Sequence, residues 1–550
     1  MATIRRTDVT IDSSLGEVIG ATIELQVGAV PTATVNLRSS SEGFKIYGGG
    51  SFPDINARRR AQEENVDISV RVRTGGGDSA TRNFKFVGLL DGYSISNVVG
   101  NNSYTAILKN KAQSLLEITT VMPGLVPIST NIFKIPSHAI TTSSQGEEKD
   151  TIRLWTAFTR ENPQILKLPP IRFYVELLKL IVKKQQSGWE KSLGVDKLIS
   201  EKTPLKEIFD SPQYKKNLKY AYDVLDSISY EACSGFVNDL LMSSTTSINT
   251  YNIFTQGPTI LLENLLNFLA TLGCSLIISN NKAFIVPINS VIKQENYYPG
   301  KGQLSTTVNQ AGPADYNSYV FNDMGFRDIN SVILMTPKYS GGTYFGGPGF
   351  DRAIAASYAA PEGEAKGSGV YVTRAHAWST LSAVSPKGTD SREGKNNLDG
   401  KGSVYSKQKT FKDIADEVKK EYAERAKTNI DEIKDQYKGR LDNYAETKYY
   451  QARFTDRQGS ITLDFNPAWC PGVGGELFIR ESEMHLHFYV TSVMHRVETG
   501  PPATGSAITI INFNCGRFGA NPVGSTSDEF LGYDADIEKS IRDAFVNDFK

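Results

Sequence analysis

The sequence predicts an α+β protein that is mainly β, with two related antiparallel β domains separated by helical and loop insertions. Three observations predict this class. A chain of 550 residues is too long for one hydrophobic core. Residues alternate between apolar and polar over the first 120 positions and again after position 450. These two regions also share a strand–turn–strand pattern.

The first predicted β domain spans residues 1–120. The segments EVIGATIELQV and ATVNLRS alternate around a Gly28–Pro31 turn and predict a hairpin. Two further strands place apolar residues on one face: Val66, Ile68, Val70 and Val72 in the first, and Phe84, Phe86, Gly88 and Leu90 in the second. The strand SYTAILKN follows a polar turn. The pattern predicts an antiparallel meander or a small barrel.

Residues 121–255 predict an inserted helical domain. A connection rich in proline, serine and threonine precedes the helical segment PPIRFYVELLKLIVKKQQSGWEK. Helical spacing places four apolar residues of this segment on one face: Phe173, Leu177, Leu180 and Ile181.

Residues 256–310 predict a helix–hairpin unit. The amphipathic helix PTILLENLLNFLATLG ends at Gly273, and the hairpin CSLIISNNKAFIVP turns at Asn280–Asn281. Glu263 interrupts the most apolar window, so we expect no membrane span and a soluble product.

The second predicted β domain is discontinuous and comprises residues 311–337 and 450–520. Between its parts, residues 338–410 are rich in glycine, serine and charge and predict a flexible or loop insertion. Residues 411–449 predict a long helix, whose apolar stripe departs from a strict heptad. Residues 521–550 predict a polar tail with a short helix at its end.

The two β regions can be aligned without a gap. Phe86 then falls on Tyr489, Leu90 on Val493 and Leu108 on Ile511. We also match the preceding segments, VDISVRVRTGGG and ITLDFNPAWCPGVGG, with each other. The alternative is a chance similarity of two hairpins, since hairpins are common. If the repeat is real, a trimer would present six similar domains around its axis.

Composition argues against several classes of protein. Lysine plus arginine and aspartate plus glutamate both total 60, so no global field attracts nucleic acid or an anionic membrane. The four cysteines contain no CxxC pair, which favours buried thiols over zinc binding or a disulfide scaffold. The first residues lack the apolar core of a signal peptide.

Three groups of residues are candidates for chemistry, and each has a structural alternative. His485 and His487 share one face of a strand that also bears His495; they could bind a metal, but ordinary strand or interface histidines are favoured. Cys470 and Cys515 could form a disulfide, although thiols are favoured. The glycine-flanked residues 58–60, all arginine, could contact phosphate, but no phosphate-binding motif accompanies them. We therefore assign no catalytic, cofactor-binding or metal-binding residue, and no cofactor.

Several segments, taken in order, resemble phage tail baseplate hub proteins of the late control protein D group. This group is related to the base of the valine-glycine repeat protein of type VI secretion. The segments are FVGLLDGYSIS, LLENLLNFLATLGCSLIISNNKAFIVP, the long helix, GSITLDFNPAWCPGVGGEL and FYVTSVMHRVE. The resemblance covers roughly residues 1–120, 255–335 and 410–520, and leaves 121–255 and 338–410 as insertions.

The resemblance implies two tail-tube-like β-barrel domains in each chain of a homotrimer. Such a hub joins the six-fold tail tube, or a tube-initiator protein, to the three-fold central spike. Its channel passes the tape measure protein and then DNA, which is present only in transit. The implied location is the virion tail baseplate, after synthesis in the host cytoplasm. Gly88 would allow a barrel-wall strand to bend, and His495 occupies the position of a histidine in the strand after the PGxG turn.

Two other functions remain open from the sequence. A tail-associated enzyme that degrades peptidoglycan or carbohydrate could reside in residues 121–255, although no GxSxG or HExxH motif occurs. A tail fibre or receptor-binding protein is less favoured, because β-helical or collagen-like repeats do not occur. The resemblance favours a structural, non-enzymatic protein.

Overall fold

The computed structural model is mostly β, with antiparallel sheets and few helices. It describes the following residues: 7–38, 65–74, 81–98, 101–120, 128–129, 170–186, 211–230, 250–251, 259–271, 274–287, 309–311, 316–323, 329–335, 354–359, 369–374, 445, 448–449, 452, 457–479, 484–500, 505–519 and 535–550.

Six strands form the first half of a large sheet. They are β1 (Thr7–Ser13), β2 (Val18–Gln26), β3 (Thr32–Leu37), β4 (Asn65–Thr74), β5 (Thr81–Val98) and β6 (Asn101–Lys109). All pair antiparallel in the spatial order β1-β4-β5-β6-β3-β2. We call this unit the first module. The predicted hairpin of β2 and β3 is confirmed, and the predicted inward faces of β4 and β5 are buried.

Short strands and helices follow the first module. The strands are β7 (Thr119–Thr120), β8 (Ile128–Ser129), β9 (Ile228–Ser229), β10 (Thr250–Tyr251), β11 (Thr259–Ile260), β12 (Cys274–Ile278) and β13 (Ala283–Pro287). The helices are α1 (Ser114–Glu117), α2 (Pro170–Gln186), α3 (Pro212–Asp226) and α4 (Leu261–Thr271). These four helices share one hydrophobic core with residues of β12 and β13.

A face of α2 that the sequence pattern did not single out is buried, and of the predicted face only the side chain of Leu180 lies within the described residues. Four residues at helical spacing are fully buried: Ile171, Val175, Leu178 and Val182. Leu180, from the predicted face, is only partly buried against this core. Because α2 is apolar on both faces, its periodicity alone could not select the side that meets α3 and α4. The predicted helix–hairpin unit is confirmed in α4, β12 and β13, but Thr259 and Ile260 pair as a strand with β7 before the helix begins.

The second half of the large sheet has the same strand order as the first. Its strands are β14 (Asn309–Ala311), β15 (Tyr316–Asp323), β19 (Arg457–Asp464), β20 (Gly474–Ile479), β21 (Met484–Glu498) and β22 (Ser506–Gly519). The spatial order is β14-β20-β21-β22-β19-β15. We call this unit the second module. In both modules the six strands, counted along the chain, take the order one, four, five, six, three, two, although β14 pairs parallel with β20 whereas β1 pairs antiparallel with β4.

The hairpin of the repeat has the predicted register at one point, beyond which β5 shifts by one residue between Leu90 and Gly92, so that Gly92 lies opposite Ile107 while His495 lies opposite Thr509. Leu90 lies opposite Leu108 in the first module, and Val493 lies opposite Ile511 in the second. The match of VDISVRVR with ITLDF is wrong, however. The segment ITLDF belongs to β19, which pairs with β22 as β3 pairs with β6. The counterpart of β4 is β20, and the sequence could not show this because β19 and β20 both precede β21 with alternating residues.

Within the residues that the structure describes, neither module closes into a barrel by itself. Ten of the twelve strands of the large sheet form an open path from β1 to β15, and β20 and β14 branch from it at β21. A bend was expected at Gly88, and the irregularity of β5 is a register shift between Leu90 and Gly92. Gly88 is constrained by packing instead, because a Cβ atom there would lie 2.7 Å from Cε1 of Phe86.

The segment 338–410 contains two strands, although its composition predicted a loop. β16 (Ile329–Met335) pairs antiparallel with β17 (Ile354–Ala359) and parallel with β18 (Gly369–Arg374). The strand IAASYA has small residues and weak alternation, so its stability comes from pairing with the more apolar β16. Of the predicted long helix 411–449, Ala445, Lys448 and Tyr449 are described, and the rest lies outside the described residues.

The polar end of the chain does contain the predicted helix, α5 (Ala535–Asn547). It is not simply a solvent-exposed tail. Ile541, Phe545, Val546 and Phe549 are buried in the core of the first module.

Candidate functional site: the seam, faces and edges of the two modules

The two modules are joined by one pair of strands, β2 and β21, which we call the seam. They pair antiparallel from Gly20 opposite Glu498 to Gln26 opposite Ser492. Alternation in VIGATIELQ places Ala21, Ile23 and Leu25 on the buried face of this pair. The seam therefore makes the two modules parts of one continuous sheet.

His495 lies at the centre of the buried face of the seam. It is opposite Ile23 on one side and Thr509 on the other, and its Nδ1 atom lies 3.0 Å from Oγ1 of Thr509. Its ring centroid is 4.8 Å from that of Phe84 and 5.4 Å from that of Phe465. Burial lowers the pKa of His495 to about 3, so the ring is neutral near pH 7. Its role here is packing between the modules.

The opposite face of the same strands is polar and nearly neutral. On β2, β3 and β6 it carries the following residues: Thr22, Glu24, Thr34, Asn36, Thr105 and Ile107. Charged residues on and beside this face form ion pairs: Arg496, opposite Thr22, with Glu498 at 2.7 Å, and Lys109 with Asp91 at 2.9 Å. This face offers hydroxyl and amide groups in place of a row of cations.

The outer edge of the second module is exposed. β15 is the last strand of the sheet path, and among the described strands it pairs with β19 alone. Val320 is 51% exposed and Tyr319 is 37% exposed. Apolar residues on a sheet edge are typical of strands that pair with another chain.

The first module has a polar joint where β6 is too short to cover β5. β6 ends at Lys109, opposite Leu89, so the preceding residues of β5 lack a strand partner on that side. The buried amide of Asn280, at the tip of the β12–β13 hairpin, takes that place. Its Nδ2 donates to the Lys85 carbonyl at 2.7 Å, and its Oδ1 accepts from the Val87 N–H at 2.9 Å.

The end of the chain completes this joint. The Lys85 N–H donates to the carbonyl of Phe549, whose ring stacks on Phe84 with centroids 4.9 Å apart. Nδ2 of Asn280 also donates to the Asp548 carbonyl at 2.9 Å. Buried backbone groups require partners, and here two segments distant in the sequence supply them.

The residues singled out from the sequence do not form a reactive centre in the described part of the chain. His487 and His495 are both buried, but the described residues contain no group of three or more histidine, cysteine, aspartate or glutamate side chains that could hold a metal ion. Cys470 and Cys515 are buried as thiols rather than joined in a disulfide. The side chain of His485 and residues 58–60 lie outside the described residues. The Asn280 joint was not predicted, and only the NN turn in the hairpin hinted at it.

No helix among the described residues is both long and apolar enough to cross a membrane.

Comparisons with known proteins give likenesses of shape only. No protein-family model matches the chain, and no curated protein matches it. Among solved structures, the tail protein from Neisseria meningitidis MC58 has 8% identity and a TM-score of 0.38, covering 96% of this chain and 99% of that one. The 43 kDa tail protein of prophage MuSo2 from Shewanella oneidensis has 8% identity and a TM-score of 0.37, covering 92% and 97%. A Francisella PdpA-VgrG complex has 8% identity and a TM-score of 0.35, covering 93% and 58%. With TM-scores below 0.5, these likenesses carry no argument about the activity of this chain.

Proposed function

We propose that this chain is a structural, non-enzymatic protein of a phage tail baseplate, acting as a homotrimeric hub. The observation that carries the proposal is the repeated strand order of the two modules within one continuous sheet. Three chains would present six such modules. A trimer of this kind fits a six-fold tail tube, or its initiator protein, on one face and a three-fold central spike on the other.

On this proposal, residues 1–120 and residues 311–337 with 450–520 are the two tube-like domains. Residues 121–255 and 338–410 are insertions, 256–310 the helix–hairpin domain, 411–449 a helix and 521–550 the C-terminal segment. Because the path of the described strands is open, we assign completion of the barrels or rings to neighbouring chains.

The polar face of the sheet supports a channel role. A lumen that passes the tape measure protein and DNA should not grip phosphates, because each lysine or arginine contact adds salt-dependent affinity. The face around Thr22, Thr34 and Thr105 carries hydroxyl groups, and the nearby cations Lys109 and Arg496 are in ion pairs. We propose that this face lines the channel, with the assembled protein located in the virion tail after synthesis in the host cytoplasm.

Light scattering of the purified full chain tests the proposal. We expect a mass of three chains, and we expect the trimer to cap tail-tube rings when mixed with them. A monomer at all concentrations would contradict the hub function. Turnover of peptidoglycan by the purified chain would instead favour the tail-associated enzyme.

A further inference from the structure

The equivalent strands of the two modules have different neighbours. In the first module, β2 lies between β3 and β21. In the second module its counterpart is β15, and both strands have a register shift one residue from their start. Among the described strands, β15 has β19 on one side and none on the other. No described strand therefore lies next to β15 in the position where β21 lies next to β2.

A complementary difference exists between β5 and β21. On the side away from β22, β21 pairs with β20 along residues 484–489 and with β2 along residues 492–498. On the side away from β6, β5 pairs with β4 only as far as Leu89. No described strand lies along residues 90–98 on that side. Residues 90–98 of β5 correspond to the part of β21 that pairs with β2.

We propose that β15 of one chain pairs antiparallel with residues 90–95 of β5 in a second copy of the chain. This contact would repeat between chains the seam that β2 and β21 form within a chain. The register of the seam, with the one-residue shift of β5 between Leu90 and Gly92 taken into account, places Val320 opposite Ser94 and Tyr319 opposite Ile95. The inference rests on the proposed function, since it names the strands through which the trimer closes.

The occupant is a second copy for a geometric reason. Each chain carries one β15 edge and one β5 edge, and the two are related as the strands of the seam are related. Such a head-to-tail contact is heterologous, and it gives a closed ring when its rotation divides a full turn. If the rotation between neighbouring modules is the same between chains as it is within a chain, three chains close a ring of six modules. The contact would also cover Val320 and Tyr319, the exposed apolar residues of the edge.

Paired cysteines test the register. Directly opposite residues of antiparallel strands have Cα atoms about 4.5–5.5 Å apart, which is within the range that a disulfide spans. Two double variants are compared: Ser94→Cys with Val320→Cys, and Ile95→Cys with Tyr319→Cys. The two pairs are adjacent along both strands, so one is a hydrogen-bonded pair and the other is not, which covers both geometries.

After oxidation of each full-length variant with diamide, we expect at least one to give a covalent trimer on a non-reducing denaturing gel. The trimer should revert to monomer with a thiol reductant, and each single-cysteine variant should give no trimer. A band ladder beyond three chains would contradict ring closure. A trimer in light scattering that neither pair crosslinks would overturn this inference and leave the hub intact, whereas a monomer would overturn both.

A substitution on the edge gives an independent test without cysteines. Val320→Lys places a charge in the proposed contact, and we expect the dissociation constant of the trimer to rise at least tenfold. The control is Val370→Lys, because Val370 is 54% exposed on β18 of the separate three-stranded sheet. Both positions are exposed, so neither variant should change the free energy of unfolding by more than about 0.5 kcal/mol. Equal assembly of the two variants would contradict the proposal.

Discussion

The two modules have the same strand order, but the strands of their central hairpins find backbone hydrogen-bonding partners in different ways. In the second module, β22 runs for 14 residues and follows β21 as far as His485. In the first, β6 has 9 residues and leaves part of β5 uncovered. The hairpin tip at Asn280 and the chain end at Phe549 replace the missing strand. A shared topology can therefore be completed either by a longer strand or by segments from elsewhere in the chain.

The two modules also build their cores from different residues. The core of the second module includes aromatic rings that pack on one another, with Phe488 and Phe513 at 4.5 Å between centroids. The core of the first module is mostly aliphatic on β2, β3 and β4, and receives Phe545 and Phe549 from the last residues of the chain. The first module therefore depends on contacts that span nearly the whole sequence, which are costly to form early in folding.

The largest expected effect comes from removing the ring that the chain end contributes. We expect Phe549→Ala to lower the free energy of unfolding by about 3–5 kcal/mol, because Phe549 is buried and stacks on Phe84. Denaturant titration measures the change. Lys550→Ala, an exposed neighbour, should alter stability by less than about 0.5 kcal/mol. Equal effects of the two substitutions would mean that the first module does not need the chain end.

A smaller effect is expected at the hairpin tip, where two adjacent asparagines differ in burial. Asn280→Ala leaves the Val87 N–H and the Lys85 carbonyl without their partner and should cost about 2–4 kcal/mol. Asn281→Ala removes an exposed hydrogen bond to Asp548 and should cost about 1 kcal/mol or less. Hydrogen exchange of the Val87 amide is the second readout, and it should become faster only in the Asn280 variant. An unchanged exchange rate in that variant would contradict the role of Asn280 as a strand substitute.

The smallest effect is expected from protonation of His495, which is buried between the two modules. The pKa of His495 falls from about 6.5 in the unfolded chain to about 3 in the folded one. Below pH 6.5 the unfolded chain therefore binds the proton first, so stability is lost as pH falls toward 3. Between pH 7 and pH 5 this loss amounts to roughly 2 kcal/mol. The His495→Asn variant should not show this loss, so the loss should appear in the difference curve between the wild type and the variant.

Denaturant titrations of the wild type and the His495→Asn variant at several pH values give this difference curve. The variant will have its own packing cost, so the slope with pH is the quantity that decides. Parallel curves for the two proteins would show that His495 does not titrate between the folded and unfolded states.

The sequence by itself determined the local elements and the repeat. Alternation in β2, β4 and β5 fixed which residues face inward, because a strand buried on one side needs an apolar residue at every second position. The NN turn predicted the β12–β13 hairpin, and the aligned hairpins predicted the pairing of Leu90 with Leu108 and of Val493 with Ile511, but not the one-residue shift of β5 that follows.

Tertiary structure decided what each element packs against. β19 alternates between apolar and polar residues as β4 does, yet it occupies the position in the second module that β3 occupies in the first. Its partner is set by how the chain connects the strands and not by its own residue pattern. α2 is apolar on both faces, so contact with α3 and α4 selected the buried one. The last helix looks polar in sequence, and only the uncovered length of β5 creates the place for Phe549. Local pattern depends on neighbours along the chain, whereas these choices depend on surfaces formed by residues hundreds of positions away.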